Sequence, residues 1–385
     1  MNTGFDIAII GGGVIGLALG RALLAAKLRV IIIDAGADIP AATNAAAGML
    51  APSFEMGQRT GEALYRFSAA SLSLWPEFSR EVEDAASLSM DYRDDGILGV
   101  ALDEPQWQEL RTRYSDLEGR GAKVEMLSGD EARGLEPALS SNIAGALFAP
   151  FDAQVDPRKL LLALRAAFLK SGGMFSSERV SHIKRARNIY VLSISSGAQI
   201  EADKIVIASG AATLSKLLVE IVCDLPPPPV RPVKGEAVAL DMGDMQVRHV
   251  VRAPGAYICP KAGARMIIGA TEIESHESLD VDPSAIAGLI RNGERAVSGI
   301  AKMREMERWA GLRPATPDGA PILGRYSDGP DDVFLALGHH RNGILLAPAS
   351  AKALAAEITG NQAGQSPALT LKPFSPDRFQ GAAER

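Results

Sequence analysis

The first 34 residues alternate apolar runs with a glycine-rich break. Residues Phe5–Ile10 are an apolar run that ends in glycines, which is typical of a buried strand. Residues 14–26 have helical content with small residues on one face, and residues 28–33 are apolar and β-branched. The pattern predicts a strand, a helix and a second strand, which is a βαβ unit.

Longer patterns predict the remaining elements. Asp156 followed by Pro157 is typical of the start of a helix. The predicted helices cover residues Glu62–Ala86, 105–120, 157–170, 283–303 and 344–358. Asp95-Gly96 indicates a hairpin over residues 92–102. The other predicted strands are a three-stranded meander over 179–200, then 204–208, 236–241, 249–251, 256–260, 266–270 and Val333–Leu337.

The glycines between the first strand and helix fit a dinucleotide-binding fingerprint. Gly11, Gly13 and Gly16 satisfy GxGxxG, and Asp34 ends the second strand. In this context Gly11 permits the tight turn, Gly13 lets the backbone approach a pyrophosphate, and Gly16 allows close helix–strand packing. Asp34 is positioned to accept a hydrogen bond from a ribose hydroxyl. The motif therefore predicts a dinucleotide site.

Composition narrows the class of partner. The net charge is −6 and 22% of residues are charged, without a concentrated basic face, so a nucleic-acid partner is not expected. Cys223 and Cys259 lack metal-ligand spacing, and we expect no metal site. Neither a signal sequence nor an apolar run long enough for a membrane is evident. We therefore expect a cytoplasmic enzyme without a membrane partner.

Two observations favour FAD over NAD. The chain has a single GxGxxG motif, so separate sites for two dinucleotides are not expected. A second glycine-flanked loop, Gly338 to Gly343, lies near the C-terminus. One long dinucleotide that spans the molecule accounts for both ends.

Four stretches carry a family resemblance: IIGGGVIGLALG near the N-terminus, AAAGML at 45–50, WAGLRP at 309–314 and GHHRNGILL at 338–346. PVKGE at 232–236 and IGAT at 268–271 support it. Together they resemble the D-amino-acid-oxidase-like FAD-dependent oxidoreductases, most closely the glycine-oxidase branch that serves thiamine biosynthesis. The resemblance spans nearly the whole chain in the same order.

The resemblance implies roles for individual residues. The residues implied to contact FAD before the C-terminal loop are Val14, Ile15, Asp34, Ala35, Ala42, Thr43, Ala47, Gly48, Met49 and Val180. The residues implied to form the loop over the flavin ring are His339, His340, Arg341, Asn342, Gly343, Ile344 and Leu345. Arg313 and Arg341 match the arginines that bind the substrate carboxylate, and Tyr257 matches a tyrosine of the same pocket.

The resemblance also implies the chemistry. Arginine holds a carboxylate through a planar, two-pronged contact, which aims the substrate Cα–H at the flavin N5. Hydride transfer from a neutral amine gives an imine, which hydrolyses to a 2-oxo acid and ammonia while oxygen gives hydrogen peroxide. The flavin carries this chemistry, so no protein residue is expected to be catalytic.

Two departures from the family affect the expectations. The stretch before Thr316-Pro317-Asp318 lacks the cysteine by which related sarcosine oxidases attach flavin, so we expect noncovalent FAD. Glu272 stands where an apolar wall is expected; it either admits a basic side chain or points to solvent. The preferred substrate therefore stays open among glycine, sarcosine and small D-amino acids.

Alternatives remain at this point. One is a D-amino-acid dehydrogenase that passes electrons to a quinone or carrier, and another is a non-catalytic FAD-binding assembly protein. Surface salt bridges are the alternative role for both arginines. Oligomeric state cannot be read from the residues, although the family suggests a homo-oligomer.

We predict an α/β fold (α+β overall) in which two domains are interleaved along the chain. The proline run at 226–229 is the predicted linker. The segments expected to form a Rossmann-like FAD-binding domain are 1–80, 145–225 and 310–370. An antiparallel β-sheet substrate domain is expected from 81–144 and 226–309, with 371–385 as a C-terminal tail. The active site is expected between the domains.

Overall fold

The structure is a computed structural model that describes residues 4–36, 42–55, 61–211, 227–274, 278–361 and 366–380. The helices of these ranges are α1 (Val14–Ala25), α2 (Ala42–Ala45), α3 (Pro52–Glu55), α4 (Glu62–Ala86), α5 (Glu104–Gly119), α6 (Gly129–Leu135), α7 (Pro157–Lys170), α8 (Pro283–Ala296) and α9 (Gly343–Thr359). No helix in these ranges is long and apolar enough to cross a membrane.

The strands fall into two large sheets and one small pair. In chain order they are β1 (Phe5–Ile10), β2 (Val30–Ile33), β3 (Met49–Leu50), β4 (Ile97–Ala101), β5 (Glu125–Ser128), β6 (Gly145–Ala149), β7 (Ala153–Gln154), β8 (Met174–Ser176), β9 (Val180–Ala186), β10 (Ile189–Ile194), β11 (Gln199–Ile207), β12 (Arg231–Asp241), β13 (Val250–Ala253), β14 (Ala256–Lys261), β15 (Arg265–Gly269), β16 (Ile273–Glu274), β17 (Arg304–Ala315), β18 (Ile322–Gly324) and β19 (Val333–Leu337).

The first large sheet is built around β1. This strand pairs in parallel with β11 on one side and β2 on the other. Ile7 and Ile9 belong to one buried cluster, whereas Ala8 and Ile10 belong to another on the opposite face. A strand covered on both faces has no polar side, which explains its continuous apolar sequence. Its neighbours on either side make β1 the topological switch point of the sheet.

Helices cover one face of this sheet and a meander extends it. Leu17 of α1, Phe168 of α7 and Leu346 of α9 share the cluster beneath Ile7 and Ile9. Trp75 of α4 is fully buried there, and its indole N–H donates to the carbonyl of Leu345. The antiparallel strands β9, β10 and β11 form the meander. The parallel part of the sheet is thus fixed as a rigid platform.

The second large sheet has the order β16-β12-β15-β14-β13-β4-β6-β5, with β17 along β12. It is antiparallel except for the parallel pair β13–β4. Helix α8 packs on one face through Ile286 and Leu289. The predicted antiparallel sheet is therefore mixed, because β4 reaches β13 from a distant part of the chain.

Several predicted elements are confirmed. The βαβ unit, α4, the cap of α7 and β19 match; the Asp156 carboxylate accepts from the amides of Arg158 and Lys159. The meander over 179–200 is confirmed, but its third strand continues without a break through the separately predicted 204–208. The mixed α/β fold predicted from the sequence is also confirmed.

Other predicted elements are wrong. No hairpin forms at 92–102: β4 is a single strand that pairs with β6, and Gly96 is needed because a Cβ there would lie 2.6 Å from the Phe148 ring. The helix predicted over 283–303 ends at Ala296. The long strand β17 was not predicted, because half of it alternates between exposed and partly buried residues. Pro226 and Cys223 lie outside the described residues.

The proposed domain limits need two adjustments if the sheets define the domains. Strand β6 begins at residue 145, within the segment expected for the FAD-binding domain, and β17 crosses the limit at residue 310. Both strands belong to the second sheet. Limits after Ala149 and after Ala315 keep each sheet whole. The segment from 371 also packs on the protein: the ring centroids of Phe374 and Phe67 are 4.9 Å apart. The division into two domains stays a proposal.

Candidate active site

A cleft of about 810 Å³ runs between the two sheets. Its floor is the carboxyl end of the parallel strands, where Ile10, Ile33, Ala208 and Leu337 line it. Its opposite wall comes from the second sheet and includes Tyr257. Ligands of open α/β sheets bind at this edge, beside the switch point.

The glycine loop forms one end of the cleft. Gly11 has φ +115°, and a Cβ there would lie 2.3 Å from the carbonyl oxygen of Ala208. A Cβ on Gly16 would lie 2.0 Å from the carbonyl oxygen of Gly11, so helix α1 can pack against the loop only with glycine there. A Cβ on Gly13, in contrast, would meet only the Thr43 hydroxyl, at 3.6 Å. Gly13 thus faces open space at the N-terminus of α1, where an anionic group is stabilised.

Asp34 braces this loop and faces the cleft. Its carboxylate accepts hydrogen bonds from the amides of Gly12 and Gly36. Each carboxylate oxygen retains a lone pair for a further donor. The Thr43 hydroxyl accepts from the amide of Val14 at 3.2 Å. These contacts order the end of the cleft at which a ribose and pyrophosphate are expected.

The AAAGML segment forms the middle of the cleft wall. Gly48 has φ +80°, and a Cβ there would lie 2.0 Å from the carbonyl oxygen of Val155. Met49 pairs with Gln154 in the small β3–β7 sheet. The Trp309 indole N–H donates to the carbonyl of Ala45 at 3.0 Å. Strand β17 of the second sheet therefore fixes this segment beside the first sheet.

Arg313 lies at the other end of the cleft. Its guanidinium rests on the backbone of Gly235, where a Cβ would lie 2.4 Å from Nη1. Nη1 donates to the carbonyl oxygens of Thr271, at 3.2 Å, and Lys234, at 3.4 Å. Among the described residues, Arg313 has no carboxylate partner. Its charge is therefore available to a ligand in the cleft.

A buried network fixes the two carbonyls that hold Arg313. Lys234 Nζ lies 3.0 Å from Glu236 Oε1, and both side chains are almost fully buried. The Thr271 hydroxyl accepts from the amide of Glu236 at 2.9 Å and donates to its carboxylate at 3.3 Å. The PVKGE and IGAT motifs thus meet beneath Arg313, which positions its guanidinium.

Tyr257 lies beside Arg313. It pairs across the sheet with Gly269, and a Cβ on Gly269 would lie 2.4 Å from the Tyr257 hydroxyl. Burial raises the pKa of Tyr257, and the charge of Arg313 opposes this shift. Tyr257 is therefore a neutral hydroxyl that can donate a hydrogen bond in the cleft.

Arg341 is placed differently from Arg313. Its Nη2 donates to both carboxylate oxygens of Glu272, at 2.8 and 2.6 Å. Its Nη1 lies 3.6 Å from Glu55 Oε2. The sequence suggested that Glu272 either admits a basic side chain or points to solvent. In the structure it pairs with Arg341 instead.

Glu55 joins Arg341 to Arg252. Arg252 Nη1 donates to Glu55 Oε1 and also lies 3.8 Å from the Met49 sulfur. Burial opposes the ionisation of Glu55, but the charges of Arg252 and Arg341 outweigh it and hold its pKa below the ordinary value. Arg252 and Tyr257 are a cross-strand pair of β13 and β14, so their side chains lie on one face.

The two histidines of the C-terminal loop are neutral. Burial lowers the pKa of His339 to about 3, and its Nε2 lies 3.1 Å from the Ser350 hydroxyl. Burial and the charge of Arg341 lower the pKa of His340 to about 4. Imidazoles of such low pKa shape the loop and do not carry protons near neutral pH.

Most of the residues singled out from the sequence line the cleft. They are Gly11, Gly13, Val14, Ile15, Asp34, Ala35, Ala42, Thr43, Ala47, Gly48, Met49, Val180, Tyr257, Arg313, His339, His340, Arg341, Gly343 and Ile344. Gly16, Asn342 and Leu345 do not. Gly16 is covered by Gly11, Asn342 is buried, and Leu345 packs in the core at the first turn of α9.

Sequence reasoning missed Glu55, Arg252 and Ser209, all of which line the cleft. Glu55 and Arg252 are 197 positions apart, and no local pattern signals their contact. Ser209 lies just after the apolar strand β11. A polar residue at the end of a buried parallel strand was the sequence signal that could have identified it. Its buried hydroxyl lies beside the glycine loop and has no hydrogen-bond partner among the described residues.

Comparison with known proteins agrees with this geometry. Residues 6–357 match the family model described as FAD dependent oxidoreductase. Glycine oxidase of Geobacillus kaustophilus is 32% identical over 384 residues, which is 99% of each chain. Its crystal structure superimposes with a TM-score of 0.88 and covers 97% of this chain and 98% of its own. The bifunctional protein ThiO/ThiG of Synechocystis is 31% identical over 98% of this chain and 55% of its own length.

The chain therefore belongs to the family of FAD-dependent oxidoreductases. The resemblance inferred from its motifs is confirmed, and its cofactor is FAD. The residues present fit this group. The open space at Gly13, the free lone pairs of Asp34 and the unpartnered hydroxyl of Ser209 lie along one continuous cleft. That cleft continues past Met49 to Arg313, where a substrate can meet the flavin end.

Proposed function

We propose that the protein oxidises a small amino acid or amine, namely glycine, sarcosine or a small D-amino acid. The products are a 2-oxo acid, ammonia or the corresponding amine, and hydrogen peroxide. Support comes from similarity over the whole length to a protein named glycine oxidase. The similarity to ThiO/ThiG further supports a place in thiamine biosynthesis, and we propose a cytoplasmic location.

One observation carries this proposal: the guanidinium of Arg313 faces the cleft without a carboxylate partner among the described residues. A partly buried cation without a counter-ion is costly unless a ligand anion meets it. A planar guanidinium matches a carboxylate with two parallel hydrogen bonds. Arg313 is therefore proposed to bind the substrate carboxylate, and Tyr257 to add a hydrogen bond to it.

The size of the site limits the substrate. Tyr257, Arg252 and the Arg341–Glu272 pair enclose the cleft around Arg313. Once the carboxylate is fixed, the amine and the Cα–H lie within a short distance of it, on the side that faces Met49 and the C-terminal loop. Because the substrate is held in this orientation, the reaction with the flavin becomes effectively unimolecular.

When bound, FAD supplies the acceptor for the two electrons of the substrate, taken formally as a hydride at N5. The protein residues bind and orient the substrate and exclude water. No described side chain is proposed as an acid or base, because His339 and His340 are neutral and the pKa of Tyr257 is raised. FAD is proposed to be noncovalent: Cys259 is fully buried and does not line the cleft.

Anaerobic bleaching of the flavin tests the proposal. The purified yellow protein is mixed with glycine, sarcosine and a panel of D- and L-amino acids, each separately, and air is then admitted. We expect bleaching by glycine or sarcosine, and recovery in air with peroxide release. Bleaching only by larger D-amino acids, or failure to recover in air, would instead support a dehydrogenase. A protein that no amine bleaches would refute amine oxidation.

A further inference from the structure

Five charged side chains line the substrate end of the cleft. Arg252, Arg313 and Arg341 are cationic, and Glu55 and Glu272 are anionic. Glu55 lies between two of the arginines, with one oxygen toward Arg252 and the other toward Arg341. The wall thus contains three guanidinium groups and two carboxylates, so one positive charge is unmatched.

The unmatched charge belongs to Arg313. Glu55 and Glu272 are both engaged by the other two arginines, whereas Arg313 contacts backbone carbonyls. Arg113 is not counted here because it does not line the cleft; it donates to the carbonyls of Ser53 and Phe54. One monocarboxylate balances the charges of these five side chains.

The two carboxylates are not equivalent. The Glu55 side chain is 8% exposed, whereas that of Glu272 is 43% exposed. Water and salt screen the exposed pair, but the buried pair is screened far less. Glu55 therefore controls whether a second cation, that of Arg252, is available to a ligand.

We propose that Glu55 determines the charge selectivity of the pocket: by neutralising Arg252 it restricts the substrate to a single carboxylate. This inference rests on the proposed function, in which Arg313 binds that carboxylate. Arg252 is on the same face of the sheet as Tyr257, is 25% exposed and lines the cleft, so its guanidinium is accessible to a ligand there. A second carboxylate on the substrate would compete with the buried Glu55 for Arg252 and would be repelled by it.

Removal of the charge of Glu55 should therefore shift the selectivity toward substrates with two carboxylates. In Glu55→Gln the side chain keeps its shape and one acceptor, but Arg252 loses its counter-ion. Arg252 then pairs best with a second substrate carboxylate, as in iminodiacetate or D-aspartate. We expect the ratio of kcat/KM for iminodiacetate to that for sarcosine to rise by about tenfold or more over the wild-type ratio.

Two further variants serve as controls. Glu55→Gln combined with Arg252→Met restores the balance of one unmatched charge and should return the ratio close to its wild-type value. Glu272→Gln removes the exposed carboxylate and should change the ratio much less. Flavin absorbance and the melting temperature establish that each variant folds and holds FAD.

Ligand binding gives a second, independent reading. Acetate and malonate are titrated into each protein, and the change in the flavin spectrum gives their dissociation constants. Wild type should bind malonate no more tightly than acetate, and Glu55→Gln should bind malonate more tightly. An unchanged iminodiacetate ratio together with unchanged malonate binding would overturn the proposal, as would a wild-type preference for malonate.

The outcomes also separate the two proposals. If wild type oxidises none of sarcosine, glycine and the small D-amino acids, the proposed function fails, but the binding of malonate against acetate still decides the role of Glu55. If wild type oxidises sarcosine and neither the iminodiacetate ratio nor malonate binding rises in Glu55→Gln, the function stands and the role of Glu55 is refuted. If Glu55→Gln loses turnover with every substrate, the binding constants alone decide.

Discussion

The guanidinium of Arg313 lies flat on the backbone of Gly235, where even one added carbon atom would come within 2.4 Å of its Nη1. The obstructed atom is the far end of a flexible side chain, so Arg313 can move aside. The fold should therefore survive such a change, whereas the position of the charge should not. This relationship connects the PVKGE motif to the arginine that we propose binds the substrate carboxylate.

Gly235→Ala should accordingly raise the KM for sarcosine with little loss of stability. Displacement of a buried charge partner costs about 2 kcal/mol or more, or roughly thirtyfold in binding. Steady-state kinetics and thermal unfolding measure the two effects. Gly134→Ala is the control, since nothing lies within 4 Å of the added carbon atom. Equal KM values in wild type and Gly235→Ala would contradict this account of Arg313.

Gly13 and Gly16 should respond differently to the same substitution. Gly13→Ala places a methyl group in open space that the cofactor occupies, so FAD affinity should fall while the apoprotein keeps its stability. Gly16→Ala places one 2.0 Å from the carbonyl oxygen of Gly11, so the fold itself should be destabilised. FAD titration of the apoproteins and their melting temperatures give the comparison. Unchanged FAD affinity in Gly13→Ala would place the cofactor elsewhere.

Thr271 should act on substrate binding through Arg313. Thr271→Val removes the hydroxyl that links Glu236 to the loop whose carbonyl holds the guanidinium. The loss of about 1 kcal/mol, or roughly fivefold, should appear in KM and much less in kcat. Thr359→Val removes a hydroxyl that bonds only within helix α9 and is the matched control. A fall in kcat at constant KM would show that Thr271 does not position the clamp.

Asp152 should make stability depend on pH. Burial raises its pKa from 3.8 to about 8, against its hydrogen bonds from Ser53. Between about pH 4 and pH 8 the folded protein keeps a proton on Asp152 that the unfolded chain has already released. The stability that this proton contributes is therefore lost as pH rises through that window.

Asp152→Asn removes this titration and keeps the shape. The stability of the variant relative to wild type should increase from pH 5 to pH 8, as measured by denaturant unfolding at each pH. Asp130→Asn, whose side chain is 94% exposed, is the surface control. If the wild-type and Asp152→Asn curves run parallel across this range, Asp152 is not protonated in the folded protein.

Local signals in the sequence identified much of this molecule. The βαβ unit, the cap at Asp156 and the ends of α4 depend on neighbours within a few residues, and they were predicted correctly. The pair of Glu55 and Arg252 could not be predicted, because helix α3 and strand β13, which are far apart in the chain, bring it together. The Asp95-Gly96 pair is typical of a hairpin turn, so the sequence predicted one. In the structure, glycine is required at this position because it packs against the Phe148 ring.

The role of Arg341 shows the limit of a motif. Its place in the GHHRNGILL loop suggested a second clamp on the substrate carboxylate. In the structure, Glu272 and Glu55 occupy its guanidinium, and neither partner is adjacent in sequence. The contact of Arg341 with the substrate carboxylate stays a prediction, and the motif alone did not indicate that two carboxylates surround this arginine.

The most direct test of the central claim compares sarcosine with dimethylamine, the same amine without its carboxylate. The rate of anaerobic flavin reduction is measured by stopped flow for wild type and for Arg313→Met. We expect sarcosine to reduce wild type rapidly, dimethylamine to reduce it far more slowly, and Arg313→Met to lose the advantage of sarcosine. Equal rates for the two amines in wild type, or an undiminished preference for sarcosine in Arg313→Met, would contradict carboxylate recognition by Arg313.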